Sequence, residues 1–472
     1  MTTLSKLPPF RTLLAIWTIK VSSWGLRLLG REGTHVPGRL ALRVDPRFMT
    51  NVTKPARVIA VTGTNGKTSV TNMLSDALEA EGLVVATNRI GSNLIEGISV
   101  ALTSALTVWG RSKADIAVIE LDERSGRLVL PGLKPDVLLC TNLTRDSIKR
   151  NAHPGYIKWV LESELSPETT LILNADDQIA SRLGHNENPR RFFSIDPMPG
   201  DGHDPHGVAL DAMACGECDH LLEWDSWRFN HIGRARCANC GYRSPDAEYR
   251  ITAIDTEAKR VQLDVRGAAL DVALVNDNIV NIYNEIAVVA ALDALQLPLE
   301  RIASVLEHVA PPVTRFDQEQ LGSVLLVRQL AKGLVGTACS RAFAYLAEFP
   351  GKKAIVLTID GEHDNPYEVE NTAWIYDADY DYLADEQIEQ IVVGGGHRYD
   401  HALRLAIAGV DPSRIVTVES EVETAELVDL DGIDFIGNTY APHNAVRTGS
   451  KVQARLRERV LAREAETPRN NA

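Results

Sequence analysis

The sequence predicts an α/β protein: a doubly wound parallel sheet carrying an inserted cysteine ribbon, then a second, Rossmann-like α/β region toward the C-terminus. Three observations predict it. From Arg57 onward short apolar runs alternate with helical stretches, the pattern of strands joined by crossover helices. One of those runs, Val58-Ile59-Ala60-Val61, stops at a glycine turn, and Lys67-Thr68 then opens a helical pattern through Met73, Leu74 and Leu78. Two Cys-x-x-Cys pairs, Cys215/Cys218 and Cys237/Cys240, interrupt the alternation with 18 residues between them.

Taken in order, residues 1–54 read as a helix followed by an irregular, Gly/Pro-bearing segment from Gly30 to Gly38. The run Leu13 to Ile19 is broken by Lys20 and followed by Arg27, too short an apolar stretch to span a bilayer. No secretory signal is visible. An amphipathic helix packed on the body is expected, with Trp17 and Trp24 keeping a membrane-surface contact open as the other reading. Composition is that of a globular protein, 44% hydrophobic and 24% charged over 472 residues. The net charge of −14 argues against nucleic acid as a partner, since that function wants a basic face. Six cysteines in a chain read as cytoplasmic argue against a disulfide framework, and Cys140 and Cys339 read as core residues.

The stretch Gly63-Thr64-Asn65-Gly66-Lys67-Thr68-Ser69 is expected to cradle phosphates. A strand ending at a glycine turn and a helix N-terminus aims backbone N–H groups and a positive dipole end at one point. Lys67 adds a point charge for the outer phosphates, and the Thr68 hydroxyl suits Mg²⁺. The general pattern would place its first glycine at position 61, where this chain has Val61, so the loop is a variant with Gly63 supplying the turn. A metal ion there needs a carboxylate at the end of a neighbouring strand. Glu120, closing the run Ile116 to Ile119, is the first candidate, with Asp122 and Glu123 behind it. Asn174 and Asp176, after the run Leu171 to Leu173, are candidate ribose or adenine contacts, or a simple turn. Asn281 and Asn284 lie one helical turn apart, placed either to bind a base edge or to cap the helix. Arg315, just after Pro311-Pro312, is a candidate phosphate ligand.

After Ser194 the stretch from Asp196 to Gly202 is loop chemistry. Four cysteines in two knuckles at this spacing fit a tetrahedral zinc ribbon, with Gly216 and Gly241 relieving the tight turns. A redox role is the rival, but one Cys-x-x-Cys would serve it. With four protein ligands no position is left open for catalysis. Period-2 runs at Tyr249 to Ile254, Arg260 to Val265 and Leu270 to Val275 predict an antiparallel meander, and a helix follows from about Val280 to Leu295. Beyond Pro311-Pro312 candidate strands fall at Val324 to Val327, Ala354 to Ile359, Ile391 to Val393, Ile415 to Val418 and Asp434 to Ile436, before a charged helical tail. The expected domains are 1–54, 55–311 with a ribbon insert at about 207–247, and 312–472.

The loop Thr62 to Ser69 resembles that of the Mur ligase family, ATP-dependent amide-forming enzymes of peptidoglycan synthesis. So do Val36-Pro37-Gly38, Asn88 to Leu94, Glu120 to Glu123 and Leu173 to Asp177. Leu330-Ala331-Lys332, His363-Asp364-Asn365, Trp374 to Asp379, Gly394 to Arg398 and Thr439-Tyr440-Ala441 extend the likeness over nearly the whole chain. The ribbon, foreign to ordinary members, resembles the branch that supplies the synthetase subunit of lipid II isoglutaminyl synthases.

That resemblance implies a Mur-ligase-like central ATPase domain and ATP, Mg²⁺ and Zn²⁺ as cofactors. It implies activation of the D-glutamate α-carboxylate of the lipid II stem peptide as an acyl phosphate, which ammonia converts to D-isoglutamine. The ammonia would come from a separate glutamine amidotransferase subunit, GatD-like, in a heterodimer working at the inner face of the membrane. Asp364 opens a family motif ending at Trp374, and Asn371 stands where the family has an aspartate that orients the partner's histidine. An amide does not stabilise an imidazolium as a carboxylate does, which leaves Glu368 or Glu370 as substitutes. Ser147 and the run Lys332 to Gly336 also depart from the family's pattern. A different Mur-type amino-acid ligase and a nucleotide-binding scaffold whose chemistry has decayed are the competing readings.

Overall fold

The apolar run ahead of the glycine turn forms β1 (Arg57–Thr62), buried at every position after Arg57. It belongs to a computed structural model that describes residues 7–31, 33–89, 92–146, 153–276, 278–307, 316–331, 335–359, 372–441 and 448–466. Two units divide the chain. The first holds Met1–Thr144, His153–Pro205 and Asp211–Pro312, and the second Arg145–Ala152, His206–Leu210 and Val313–Ala472.

Around β1 the first unit runs α1 (Phe10–Leu28), α2 (His35–Val44), α3 (Phe48–Asn51), α4 (Lys67–Ala80), β2 (Val85–Thr87), α5 (Ile95–Ser104), β3 (Ile116–Glu120), α6 (Gly126–Leu133) and β4 (Val137–Cys140). It continues through α7 (Pro154–Glu162), β5 (Thr170–Asn174), β6 (Arg190–Ile195), a hairpin of β7 (Glu223–Phe229) and β8 (Ile232–Arg236), β9 (Tyr249–Asp255), β10 (Arg260–Val265), β11 (Ala268–Ala273), α8 (Ile279–Ala294) and α9 (Leu299–Leu306). Among the described residues the main sheet has the order β11-β10-β9-β6-β5-β4-β1-β3-β2. Pairing is parallel from β2 across to β9 and antiparallel in the β9-β10-β11 meander.

The period of two along β1 fills both faces of the sheet. Ile59 and Val61 join the core under α4 and α8, while Val58 and Ala60 join the one under α1, α5 and α6. The segment read as irregular is helical from His35, because Pro37 falls in the first turn of α2, where no backbone donor is needed. Gly38 is required there by a close approach: a Cβ would sit 2.1 Å from the Glu96 carbonyl oxygen. The strands β2 and β6 escape a reading by pattern. The first has three residues, and the second begins with two arginines.

The second unit comprises β12 (Phe316–Leu321), β13 (Val324–Leu330), α10 (Gly336–Ala347), β14 (Lys353–Thr358), α11 (Ala373–Tyr376), β15 (Ile388–Gly394), α12 (Arg398–Ile407), β16 (Ile415–Val418), α13 (Thr424–Leu427), β17 (Phe435–Tyr440) and α14 (Ser450–Glu466). Its sheet, ordered β12-β13-β17-β14-β15-β16, is parallel except for the polar edge strand β12. Central β17 runs past the apolar residues that announced it. Asn438 and Thr439 are fully buried, and their polar groups meet Gln453 and Gln329.

Candidate functional site

The residues from Gly63 to Ser69 join β1 to α4 as a tight loop. Gly63 and Gly66 adopt φ of 125° and 91°, and Gly66 is the residue that caps α4. Space forbids a side chain as firmly as backbone does. A Cβ on Gly63 would meet Thr141 Oγ1 at 2.2 Å, and one on Gly66 would meet Asn284 Oδ1 at 2.1 Å. The chain leaving β4 latches the loop from below. Thr64 N–H donates to the Asn142 carbonyl at 2.8 Å, Asn65 N–H to Asn142 Oδ1 at 3.1 Å, and Thr141 Oγ1 to the Asn65 carbonyl at 2.6 Å.

Lys67 donates to the Gly63 carbonyl and to Glu123 Oε1, the latter at 2.6 Å. Burial by itself would drive the ammonium toward neutrality. Glu123, with Glu120 and Asp122 behind it, outweighs that and holds the pKa above its ordinary value. Lys67 therefore stays charged beside the loop. Thr68 is exposed at the first turn of α4.

Glu120 ends β3, in register with Val61 of β1, which places its carboxylate at the mouth of the loop. Asn93 Nδ2 donates to Oε1 at 2.9 Å, whereas Oε2 is buried without a partner. An orphaned carboxylate oxygen beside a phosphate loop fits a divalent cation, which would supply the missing positive charge. The Glu120 backbone is pinned at both ends by one side chain: Asn88 Nδ2 donates to its carbonyl at 2.9 Å and its N–H donates to Asn88 Oδ1 at 2.8 Å. Asp122 turns aside to cap the short turn Glu123–Ser125.

Asn278, not Asn281 or Asn284, caps α8, accepting from Val280 N–H. That leaves the other two amides on the face toward the loop. Asn281 donates to Asn276 at 2.9 Å, and the Asn284 oxygen is buried without a partner against Gly66. Asn174 and Asp176 are placed inside the fold. Asn174 donates to the Thr141 carbonyl at 3.3 Å and accepts from Asp176 N–H at 3.0 Å. Oδ2 of Asp176 accepts from Ile195 N–H, Arg228 and Tyr283 at 3.0, 3.1 and 2.7 Å. Arg315, Asp364 and Asn371 lie outside the described residues, as do Ser147, Lys332, Glu368 and Glu370. Sequence reasoning missed what Asn88, Asn93, Thr141 and Asn142 do. For Asn88, Thr141 and Asn142 the only local signal was a polar residue just past the end of a strand, and Asn93, ahead of α5, had none.

In the ribbon the four thiol sulfurs of Cys215, Cys218, Cys237 and Cys240 lie within 4.8 Å of one another, with Cys215–Cys240 at 3.6 Å and Cys218–Cys237 at 3.5 Å. Tetrahedral coordination at about 2.3 Å per bond puts sulfurs about 3.8 Å apart, so the cluster fits a structural metal ion. The glycines differ from expectation in one respect. Gly241 turns at φ 78°, but the left-handed residue of the first knuckle is Asp219, at φ 59°. Gly216 is needed instead because Arg182 Nη1 would lie 1.5 Å from a Cβ there. The Arg182 guanidinium stacks on Tyr242 at 4.2 Å and lies against Gly216 of the first knuckle, a cation suited to the surplus charge of four thiolates. Cys140 and Cys339 are buried.

Comparison with known proteins matches residues 61–197 to the Mur ligase middle domain and residues 335–439 to the MurT ligase C-terminal domain. The lipid II isoglutaminyl synthase (glutamine-hydrolyzing) subunit MurT of Staphylococcus aureus (strain COL) is 29% identical over 428 residues, 89% of this chain and 94% of its own. The protein of the same name from Streptococcus pneumoniae (strain ATCC BAA-255 / R6) is 27% identical over 416 residues, 88% of this chain and 90% of its own. Among solved structures, a pseudomurein peptide ligase type C from Methanothermus fervidus superposes with a TM-score of 0.64 at 17% identity, over 88% of this chain and 81% of that one. At that identity the likeness is one of fold.

Proposed function

We propose that this chain, which belongs to the Mur ligase family, is the ATP-dependent synthetase subunit of a lipid II isoglutaminyl synthase. It would amidate the D-glutamate α-carboxylate of the stem peptide using ammonia from a GatD-like glutamine amidotransferase. The observation that carries the reading is the group at the ends of β1, β3 and β4. A glycine loop, a charged Lys67 and an orphaned Glu120 oxygen converge there, beside a four-cysteine ribbon of the kind expected in this branch.

Each residue then has a task. The loop N–H groups and the dipole of α4 hold the outer phosphates of ATP. Lys67 leaves Glu123 for the phosphoryl oxygens and neutralises charge as the group passes to the substrate carboxylate. Thr68 and Glu120 would hold Mg²⁺, which supplies further charge neutralisation to the same transfer. The acyl phosphate so formed loses phosphate when ammonia attacks its carbonyl carbon, leaving the amide. Asn281 and Asn284 border the loop on the α8 side and suit a nucleotide contact. Arg315 is assigned to the phosphates from its place after Pro311-Pro312, with a surface arginine as the alternative. Asn371, in the motif that Asp364 opens, is assigned to the partner's catalytic histidine on the resemblance alone. The cysteine cluster is assigned Zn²⁺ in a structural role.

The test combines the chain with its glutaminase partner, lipid II, ATP and Mg²⁺, and supplies either glutamine or ammonia. The expected product is amidated lipid II, read by mass. With Lys67→Ala, product should vanish while the circular dichroism spectrum is kept. Amidation from ammonia but not from glutamine would place a defect at Asn371. ATP turnover that needs an added amino acid instead would replace the reading with an amino-acid ligase, and no turnover at all would end it.

A further inference from the structure

One face of α1 presents an apolar stripe to the outside. Phe10, Leu14, Trp17, Val21, Trp24 and Leu28 recur at spacings of four and three, which sets them in one stripe along a helix. All six are between 37% and 70% exposed. The buried residues Thr12, Ala15, Ile16 and Ile19 hold the opposite face. The stripe widens at one end. Trp17 Nε1 donates to the Val108 carbonyl at 2.8 Å, and in the same loop Val108 and Trp109 are 55% and 63% exposed. Three of the seven tryptophans therefore gather on one outer surface.

The charge around the stripe names its occupant. Arg11 and Arg27 are exposed along its margins and Arg31 lies just beyond its end. The first 31 residues hold five basic residues and no acidic one, in a chain of net charge −14. A second copy packed on the same stripe would bring arginine margins against arginine margins, with no acid to pair them. An anionic lipid surface answers both features: acyl chains take the apolar stripe, indoles lie at the headgroup level, and arginines meet phosphates. No helix among the described residues is long and apolar enough to cross a membrane, so the contact is a lateral one. We propose that the outer face of α1, extended by Val108 and Trp109, docks the protein flat on an anionic membrane surface.

The full chain should sediment with vesicles of phosphatidylcholine containing about one third phosphatidylglycerol. Capture should fall roughly tenfold on pure phosphatidylcholine and fall again with added salt. The doubly substituted variant Val21→Ser/Trp24→Ser should lose capture while its thermal midpoint and nucleotide binding stay unchanged. Wild-type protein left in the supernatant, capture indifferent to that variant, or a dimer that the variant dissociates without any vesicle binding would each overturn the proposal. This surface is independent of the proposed amidation. Vesicle capture without amidation would end that reaction and leave the surface standing, and amidation of detergent-dispersed lipid II without capture would do the reverse.

Discussion

Two buried charges flank the phosphate loop with opposite consequences. Burial pulls the Lys67 ammonium down, but Glu123 holds its pKa above the ordinary value, so it stays charged through neutrality. Burial in turn raises the Glu123 carboxyl, so the pair is lost as pH falls through the Glu123 value. Glu285, one residue past Asn284 on α8, has no such partner. It is fully buried, accepts only from Val275 N–H at 3.3 Å, and leaves Oε1 unpaired. Burial pushes its carboxyl from 4.5 up to about 7. A raised carboxyl works against the fold as pH rises. The unfolded chain ionises first, the cost grows through the interval, and it is complete above the folded value. An interval of this size corresponds to roughly 3 kcal/mol. Thermal midpoints should accordingly fall between pH 5 and pH 8 in the wild type, and Glu285→Gln should flatten that decline and leave the variant more stable at pH 8. Parallel pH profiles for the two proteins would show that Glu285 is not the group responsible.

At the scale of elements, what was legible in the sequence was what is local. The strand, loop and helix from Val58 to Leu78 announce themselves by apolar run, glycine and period, and the structure forms them as β1 and α4. The meander was equally plain, because its strands alternate and pair with their neighbours. The latch under the loop was not, since Asn142 and Asn65 meet at a sequence separation of 77 and Asn88 and Glu120 at one of 32. No short-range period marks such pairs; only the folded sheet brings strand ends together. The ribbon is the opposite case, a long-range site readable because four thiols in two knuckles have few other uses. At its cysteine end the ribbon buries only Leu222, Trp224, Trp227 and Ala235 around the thiols, while Ile232 at the hairpin turn belongs to the main core. Metal binding should therefore supply much of the stability of the cysteine end. Replacing Cys215 and Cys218 by Ser should release one zinc per chain, measured by elemental analysis, and make the 207–247 insert the first region cut by protease. Purified wild type free of metal, with an insert that resists protease, would remove zinc from the account.

The first unit as a whole explains why the candidate ligands converge. Its sheet places β1 between β3 and β4; the chain builds out to one side as far as β2 and then returns to extend the other. Crevices outside the carboxyl ends of strands at such a reversal are where doubly wound sheets hold ligands. Gly63, Glu120 and Thr141 follow or end those three strands, so topology brings together residues that sequence distance keeps apart. The meander occupies the far edge and contributes no group to the cradle. Nucleotide binding should therefore leave a localised trace. A nonhydrolysable ATP analogue with Mg²⁺ at about a hundred times its dissociation constant stabilises the binding state by about 2.7 kcal/mol. Hydrogen exchange should register its largest gain in protection in residues 63–70, with smaller gains at 120–125, 141–144 and the first turns of α8. The amides of β10 and β11 should not change. With Lys67→Ala the whole pattern should weaken together, because the loop, the metal carboxylate and α8 answer to one ligand. Protection that peaked in the meander or in the ribbon, or that survived Lys67→Ala undiminished, would locate the nucleotide away from the reversal point and dissolve the link between this sheet's topology and its chemistry.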